Sequence, residues 1–383
     1  MQRCDVLVVG GGPAGSSCAW ALRRRGFEVR VLDRARFPRH KVCAGWITPG
    51  LVESLELNLE DYGRGRTLQP IHGFRTGVIG GPEVETTYPR AVSYGILRSE
   101  FDHYLLRRSG AAVVEGAALA SLRRDGDGWV VNDHFRTPLV IGAGGHFCPV
   151  ARALGARRTD DVVVAAQEVE FRMDDAQRRR CKVEPEVPEL YFSRDLRGYG
   201  WCFRKGDVLN VGFGRADGRE FPRHVRGFVD DLAARGRVPA GVPPRWLGHA
   251  YLLYDSTRPR LVDDGVLLVG DAAGLAYAQS GEGIRPAAES GLMAASVITL
   301  AAGRYDRERL DPYRQRLVAR FGRTRRRSLP VPASWLGAIG RPLLATRWFT
   351  RKVVLDDWFL HARLPPLPTE PASAVLEAAA GGP

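Results

Sequence analysis

Apolar and polar positions change period several times along the chain. Asp5-Val6-Leu7-Val8-Val9 is a short continuous apolar run, the pattern of a buried parallel strand. Gly10, Gly12 and Gly15 follow at once, with Pro13 and Ala14 between the last two. Ser16 to Arg25 carries Ala19, Leu22 and small neighbours on one face and reads as a helix. Glu28 to Leu32 is a second apolar run, closed by Asp33. Thr48 is placed to cap a helix from Pro49 to about Leu57, and Ser99 one running to about Ser109. Residues 67–94 alternate turns with short β-like runs, as an excursion into a second sheet would. Ala112-Val113-Val114 and Leu139-Val140-Ile141 read as further parallel strands. Leu119–Leu122 and Gly128–Val131 read as an antiparallel pair.

The pattern shifts after residue 155. Val162–Ala166, Val169–Phe171, Leu190–Phe192, Tyr199–Phe203 and Val208–Phe213 read as strands of a mostly antiparallel sheet, with a helix over Phe221–Ala234. Gly265–Val269 is the last strong parallel strand. A long helix from Gly281-Glu282-Gly283-Ile284 to about Ala302 follows, and basic helix from Asp311 to about Arg327. The stretch from Trp335 to Leu364 mixes tryptophans with arginines, and the residues from Pro365 read as poorly ordered.

The first unit carries chemistry. In G-x-G-x-x-G after a strand, Gly10 permits the turn, Gly12 lets a pyrophosphate approach, and Gly15 lets helix and strand pack. The helix N-terminus offers free N–H groups to phosphate. Asp33 ends the next strand at the place of a ribose-binding acid. The irregular basic segment from Arg34 to Trp46 follows it and so lies beside the cofactor. Gly270-Asp271 ends another strand with an acid, and Gly281–Ile284 opens a second helix end. An anionic reduced isoalloxazine gains from such an end, so the pair points to a flavin.

With 383 residues and 44% hydrophobic content the chain can fill two domains or one composite. Its 56 basic and 43 acidic residues leave +13. Much of the excess is arginine in short clusters, such as 178–180 and 325–327, which read as solvated surface. No nucleic-acid signature accompanies it. Six scattered cysteines without C-x-x-C indicate reduced thiols and a cytoplasmic place. No apolar run reaches the roughly 18 residues of a membrane span. Eight histidines form no metal-ligand motif.

Several stretches together resemble one family. They are Val8 to Gly15, Lys41-Val42-Cys43-Ala44-Gly45, Arg98 with Phe101-Asp102, Tyr199 to Gly206, and Gly270–Gly274 with Gly281–Ile284. The chain is similar to flavoproteins of the p-hydroxybenzoate hydroxylase fold, and most resembles the geranylgeranyl reductases among them. The resemblance implies FAD, with Pro13, Ala14, Asp33, Arg34, Cys43, Ala44, Gly45, Arg98, Asp271, Gly281, Gly283 and Ile284 around it, and the backbone near Leu119 beside the adenine. It also implies that Tyr199 and Trp201 face a substrate cavity. Cys43 has two readings: a small residue packed beside the ring, or a reactive thiol activated by Lys41 and Arg39. Two departures stand out. Arg204 replaces the family's proline, and Gly144-Gly145-His146-Phe147-Cys148 lacks the acid that hydroxylases of this fold carry.

The expected architecture is an α/β (α+β) composite. A Rossmann-like FAD-binding domain takes residues 1–66, 95–155 and 260–305. An interleaved, mostly antiparallel substrate domain takes 67–94 and 156–259. A helical C-terminal region covers 306–364, with a tail over 365–383. The expected activity is reduction of carbon–carbon double bonds in a prenyl or related lipid-like substrate, with Cys43, Trp201 and Tyr199 at the reacting centre. No second dinucleotide turn exists, so NAD(P)H visits transiently or another external donor reduces the flavin. Two alternatives carry different chemistry: a monooxygenase or halogenase tailoring an aromatic or polyketide metabolite, and a flavin-bearing electron carrier or redox-responsive binding protein. Tryptophans beside arginine and lysine in the tail add an expected peripheral membrane contact. The oligomeric state is not encoded in any motif.

Overall fold

Two large sheets organise the computed structural model, which describes residues 1–156, 161–216, 218, 220–255, 257, 260–323 and 340–368. The first sheet has six strands in the order Val262–Asp263, Val266–Leu268, Leu139–Gly142, Val6–Val9, Val29–Asp33, Ala112–Glu115. All its pairs are parallel except the Val262–Asp263 edge. Val6–Val9 lies near the middle with every side chain buried, as its unbroken apolar run requires.

Helix Pro13–Arg23 starts earlier than the helical pattern from Ser16, because Pro13 sits at N1, where its fixed φ suits the first turn. Helix Ile284–Leu300 packs across it. A Cβ on Gly291 would come within 2.3 Å of the Ala14 carbonyl oxygen, so the two backbones approach this closely only with glycine there. Gly10 turns the chain with φ +117, and a Cβ there would lie 2.3 Å from the Ala143 oxygen.

The second sheet has seven strands: Leu247–Leu252, Val163–Arg172, Val208–Arg215, Gly198–Lys205, Glu189–Phe192, Gly73–Val78 and Glu83–Thr87. It is antiparallel apart from the pairing of Glu189–Phe192 with Gly73–Val78. Residues 73–87 therefore do leave the first sheet for the second. A three-stranded sheet joins Trp46–Ile47, Ser93–Gly95 and Gln69–Ile71 between them. A four-stranded sheet adds Gln2–Arg3 and Phe135–Thr137 to the expected small antiparallel pair.

Several boundaries differ from the sequence reading. Helix Arg98–Arg108 has Leu97 at its N-cap, so Ser99 lies in the first turn and does not cap. The helix from Pro49 stops at Ser54, shortly before Glu56 takes φ +49. Val162–Ala166 and Val169–Phe171 are parts of one strand, Val163–Arg172. The antiparallel pair begins at Leu122, because the Asn132 side chain accepts the N–H groups of Ala120 and Ser121 and draws Leu119 into an irregular segment. The basic helix spans Pro312–Phe321 and ends at Gly322; residues 325–327 and Trp335 lie outside the described residues. Residues 365–368 are tied down, contrary to expectation: the Leu367 N–H donates to Ser54 Oγ at 2.7 Å, and Arg285 and Arg320 both donate to the Pro365 carbonyl. The remainder of that tail, 369–383, is outside the described residues.

The C-terminal segment reaches back over the second sheet. Leu344, Val354, Leu355 and Phe359 join one apolar core with Trp46, Phe192 and Trp201. No described helix is long and apolar enough to cross a membrane.

Candidate active site

The glycine turn, the basic segment after Asp33, and the second helix end converge on one cavity of about 570 Å³ between the two large sheets. Every residue expected at the site lines it except Gly15. Gly15 packs beneath, where a Cβ would sit 1.9 Å from the Gly10 oxygen. Tyr199 and Trp201 come from the second sheet, Cys43 to Gly45 from the connecting segment, and Asp271 and Gly281–Ile284 from the far end of the first sheet.

The walls suit an extended anionic cofactor. Helix Pro13–Arg23 has no side-chain cap at Gly12, so its first N–H groups are open to the cavity. A Cβ placed on Gly12 would meet only Arg39 Nη2, at 3.4 Å. Asp33 accepts the Gly11 N–H at 2.7 Å and the Ala35 N–H at 2.8 Å, one on each oxygen. A carboxylate has about four acceptor positions, so Asp33 braces the turn and still has lone pairs for a ribose hydroxyl. Arg34 stands exposed at the rim, and Leu119 is half-buried on the wall.

Charge is arranged in pairs along the wall. Buried Arg98 donates to Asp102 through Nε at 2.8 Å and Nη2 at 2.9 Å, and Arg39 reaches the same carboxylate at 3.1 Å. Lys41 Nζ lies 2.7 Å from His249 Nε2, which faces Asp271 Oδ2 at 3.6 Å. Burial pushes the Lys41 ammonium down to about 8, while Asp271 pulls the other way. Burial works against the Asp271 carboxylate, yet the His249 hydrogen bond and the Lys41 charge hold it below its usual value.

Cys43 is fixed by its backbone. Its N–H donates to Glu168 Oε2 at 2.7 Å, and its carbonyl accepts from Asn210 Nδ2 at 3.2 Å. Burial raises the thiol, with Arg98 opposing, so the group is a thiol at neutral pH. Arg39 and Lys41 do not activate it, because each is engaged elsewhere, with Asp102 and with the His249–Asp271 pair. Asn210 also accepts the Trp201 indole N–H, at 2.7 Å. One amide thus orients both the cavity tryptophan and the Cys43 backbone. Tyr199 donates to the Ser280 carbonyl and packs edge-on against Phe359, with ring centroids 5.3 Å apart.

Glu168, Asn210, His249, Tyr251 and Glu282 were not singled out from the sequence. The detectable signal was polar side chains inside otherwise apolar strands, as in Gln167-Glu168-Val169-Glu170. Burial pushes the Glu168 carboxyl up to about 8, assisted by Glu170 and opposed by the Cys43 N–H, Lys205 and Asn210. Its usual value is 4.5. The folded protein therefore keeps a proton that the unfolded chain has lost, and this contribution to stability disappears as pH rises from about 4.5 through about 8. Glu168→Gln is expected to remove that slope. Urea midpoints of the FAD-loaded protein should fall between about pH 5 and pH 9 for wild type and by clearly less for the variant, in which Glu282, also raised by burial, keeps its own share of the slope. Equal slopes in both would refute a neutral Glu168.

Comparison with known proteins agrees with this architecture. A family model described as FAD binding domain matches residues 3–327. The chain is 28% identical to a digeranylgeranylglycerophospholipid reductase of Methanocaldococcus jannaschii, over 82% of this chain and 81% of that protein. It is 31% identical to a chloroplastic geranylgeranyl diphosphate reductase of Oryza sativa subsp. japonica, over 84% of this chain and 72% of that one. The crystal structure of a geranylgeranyl bacteriochlorophyll reductase-like protein from Thermoplasma acidophilum superposes with a TM-score of 0.71 at 21% identity, covering 100% of this chain and 96% of that one. An FAD-binding fold, a cavity built from the family's motif residues and this likeness across most of the chain carry one conclusion: the protein belongs to the FAD binding domain family and, within it, to the geranylgeranyl reductase family of FAD-dependent oxidoreductases.

Proposed function

We propose that the enzyme reduces carbon–carbon double bonds in the isoprenoid chain of a lipid. The observation that carries this reading is the cavity wall opposite the glycine turn. There Trp201, Tyr199 and Trp46 present broad aromatic surface beside Cys43 and the second helix end. Such a wall binds an apolar chain and keeps water out. The names of the two similar reductases, both acting on geranylgeranyl compounds, support the substrate class.

Bound FAD, once reduced, supplies hydride. The chain's own residues position both partners. The open helix end at Gly12 and the Asp33 carboxylate hold the adenine-side groups. Asp271, kept ionised by His249 and Lys41, is set to take a hydroxyl of the linking chain. Asn210 and Glu168 fix the Cys43 backbone, and with it the spacing between cofactor and substrate wall. Trp201 and Tyr199 set the alkene at reacting distance, about 3–3.5 Å. An external donor, NAD(P)H or another reductant, restores the electrons.

The C-terminal segment supplies a route for lipid. Trp348 is 70% exposed and Leu343 39%, beside exposed Arg341, Arg347, Arg351 and Lys352. The other face of the segment, through Phe359, packs against Tyr199 at the cavity. This surface suits an anionic membrane interface.

One experiment tests the reading. Enzyme with pre-reduced FAD is mixed anaerobically with a geranylgeranyl lipid in vesicles of graded anionic content. We expect product two hydrogens heavier per turnover, with rate and vesicle flotation rising with anionic lipid and falling with salt. Flavin reoxidation only on admission of oxygen, with oxygen incorporated into a product, would identify a monooxygenase. Reoxidation by electron acceptors with the lipid unchanged would identify a carrier. Equal flotation on neutral vesicles would remove the electrostatic contact.

A further inference from the structure

Reduction of an alkene needs a proton as well as a hydride, and one acid on the cavity wall has no other task. Glu282 stands between Gly281 and Gly283 in the turn that opens helix Ile284–Leu300. Its Oε1 accepts the Arg285 N–H at 2.7 Å, which pins the carboxyl to the helix end. Its Oε2 is buried and has no hydrogen-bond partner in the described structure. Gly281 holds the turn in place with φ +67, its Cα so close to Tyr251 that a Cβ would lie 2.3 Å from the hydroxyl. The turn is locked further by Tyr199, which donates to the carbonyl of Ser280.

We propose that Glu282 is a catalytic acid, which gives its proton to the alkene carbon that does not receive the hydride. This rests on the alkene-lipid reading above. The π pair of the double bond forms the new C–H bond to the Glu282 proton as the O–H bond breaks. The neighbouring carbon takes the hydride, with its two electrons, received from the reduced cofactor. Glu282 is left as a carboxylate and regains a proton from water.

The surroundings support the role. Burial pushes the carboxyl up to about 7, against the lowering effect of the Arg285 N–H and charge. Arg285 and Glu289 act on it from the helix that follows its turn. Tyr277 faces it from the preceding turn and Tyr199 from the second sheet, both as neutral phenols. An acid poised near the working pH is the efficient kind. Negative charge arriving on a neighbouring cofactor raises it further, so the proton is retained until the alkene needs it.

The test compares FAD-loaded wild type with Glu282→Gln, which keeps an oxygen for the Arg285 N–H and lacks the proton. Proton uptake during anaerobic photoreduction is read first, with an indicator dye at about pH 8. Wild type is expected to take up more than the variant, and equal uptake would overturn the placement of Glu282 beside the cofactor. Reoxidation of the reduced enzymes by geranylgeraniol in micelles is then followed by flavin absorbance in a single turnover. The variant should be slower by on the order of 100-fold, Glu282→Asp should recover part of the rate, and the fall of the wild-type rate at alkaline pH, above the value that Glu282 has without the reduced cofactor, should vanish in the variant. An unchanged rate with normal wild-type turnover would overturn the donor role alone. A wild type that does not reoxidise with geranylgeraniol would overturn the substrate class, and the donor role with it, while the proton-uptake difference would still stand.

Discussion

Gly12→Val is expected to yield a folded protein without FAD. The cavity side of Gly12 is open, and the nearest atom to an added Cβ is the mobile end of Arg39, 3.4 Å away. The fold therefore admits the larger side chain. The cofactor does not, because valine methyls would fill the space where a pyrophosphate meets the helix N–H groups. A loss of at least about 100-fold in FAD affinity, close to 3 kcal/mol, is expected. Flavin absorbance of the purified variant and titration with added FAD measure it, and circular dichroism checks the fold. Gly10→Ala is the useful contrast. Its Cβ would collide with the Ala143 backbone at φ +117, so that variant should fail in folding before binding is in question. A Gly12→Val protein that purifies yellow would place the pyrophosphate elsewhere.

Asp102→Ala should produce a large loss of stability in a protein that still folds. Asp102 is fully buried, accepts two hydrogen bonds from Arg98 and forms an ion pair with Arg39. Removing it leaves the Arg98 charge buried without its partner, which costs about 3–5 kcal/mol. Arg98 lines the cavity and bears on Cys43, so FAD binding should weaken together with stability. Asp102→Asn keeps the shape and two acceptor positions and should lose less. Denaturant midpoints and FAD affinities of both variants measure these effects. A small loss in Asp102→Ala would mean that water or a rearranged side chain takes over the pairing.

The two substitutions act on parts of the site that differ in how plainly they stand in the sequence. Gly10, Gly12 and Asp33 sit in one continuous strand–turn–helix–strand, where spacing alone fixes their geometry. Asp102 lies one helical turn after Arg98, so that pair too is a local matter. Glu168 was different. Its alternation with Val169 and Phe171 is what a strand with one wet face would show. In the folded chain that face covers the Cys43 segment, 125 residues away, and the carboxyl is buried. The motif containing Glu282 was legible, whereas the unpartnered oxygen was not, since it depends on what the neighbouring strands leave uncovered.

The tail makes the same distinction. Its mixture of tryptophan and arginine is open both to a membrane face and to packing. Packing is observed for Phe359, buried against Tyr199 and Phe192, while the exposed Trp348 supports the proposed membrane contact. Composition could not assign them, because no regular helical period sorts the faces of this segment.

By itself the sequence determined the cofactor turn, the identity of the flavoprotein family and the alternation between two kinds of sheet. These follow from short-range rules: side-chain period, glycine at forced backbone angles, and an acid at a strand end. The tertiary structure alone decided which polar side chains would be dry, which backbone groups they hold, and whether Cys43 is a thiolate or a thiol. Those outcomes depend on desolvation and on partners brought together across long stretches of chain, and neither is a property of any local run of residues.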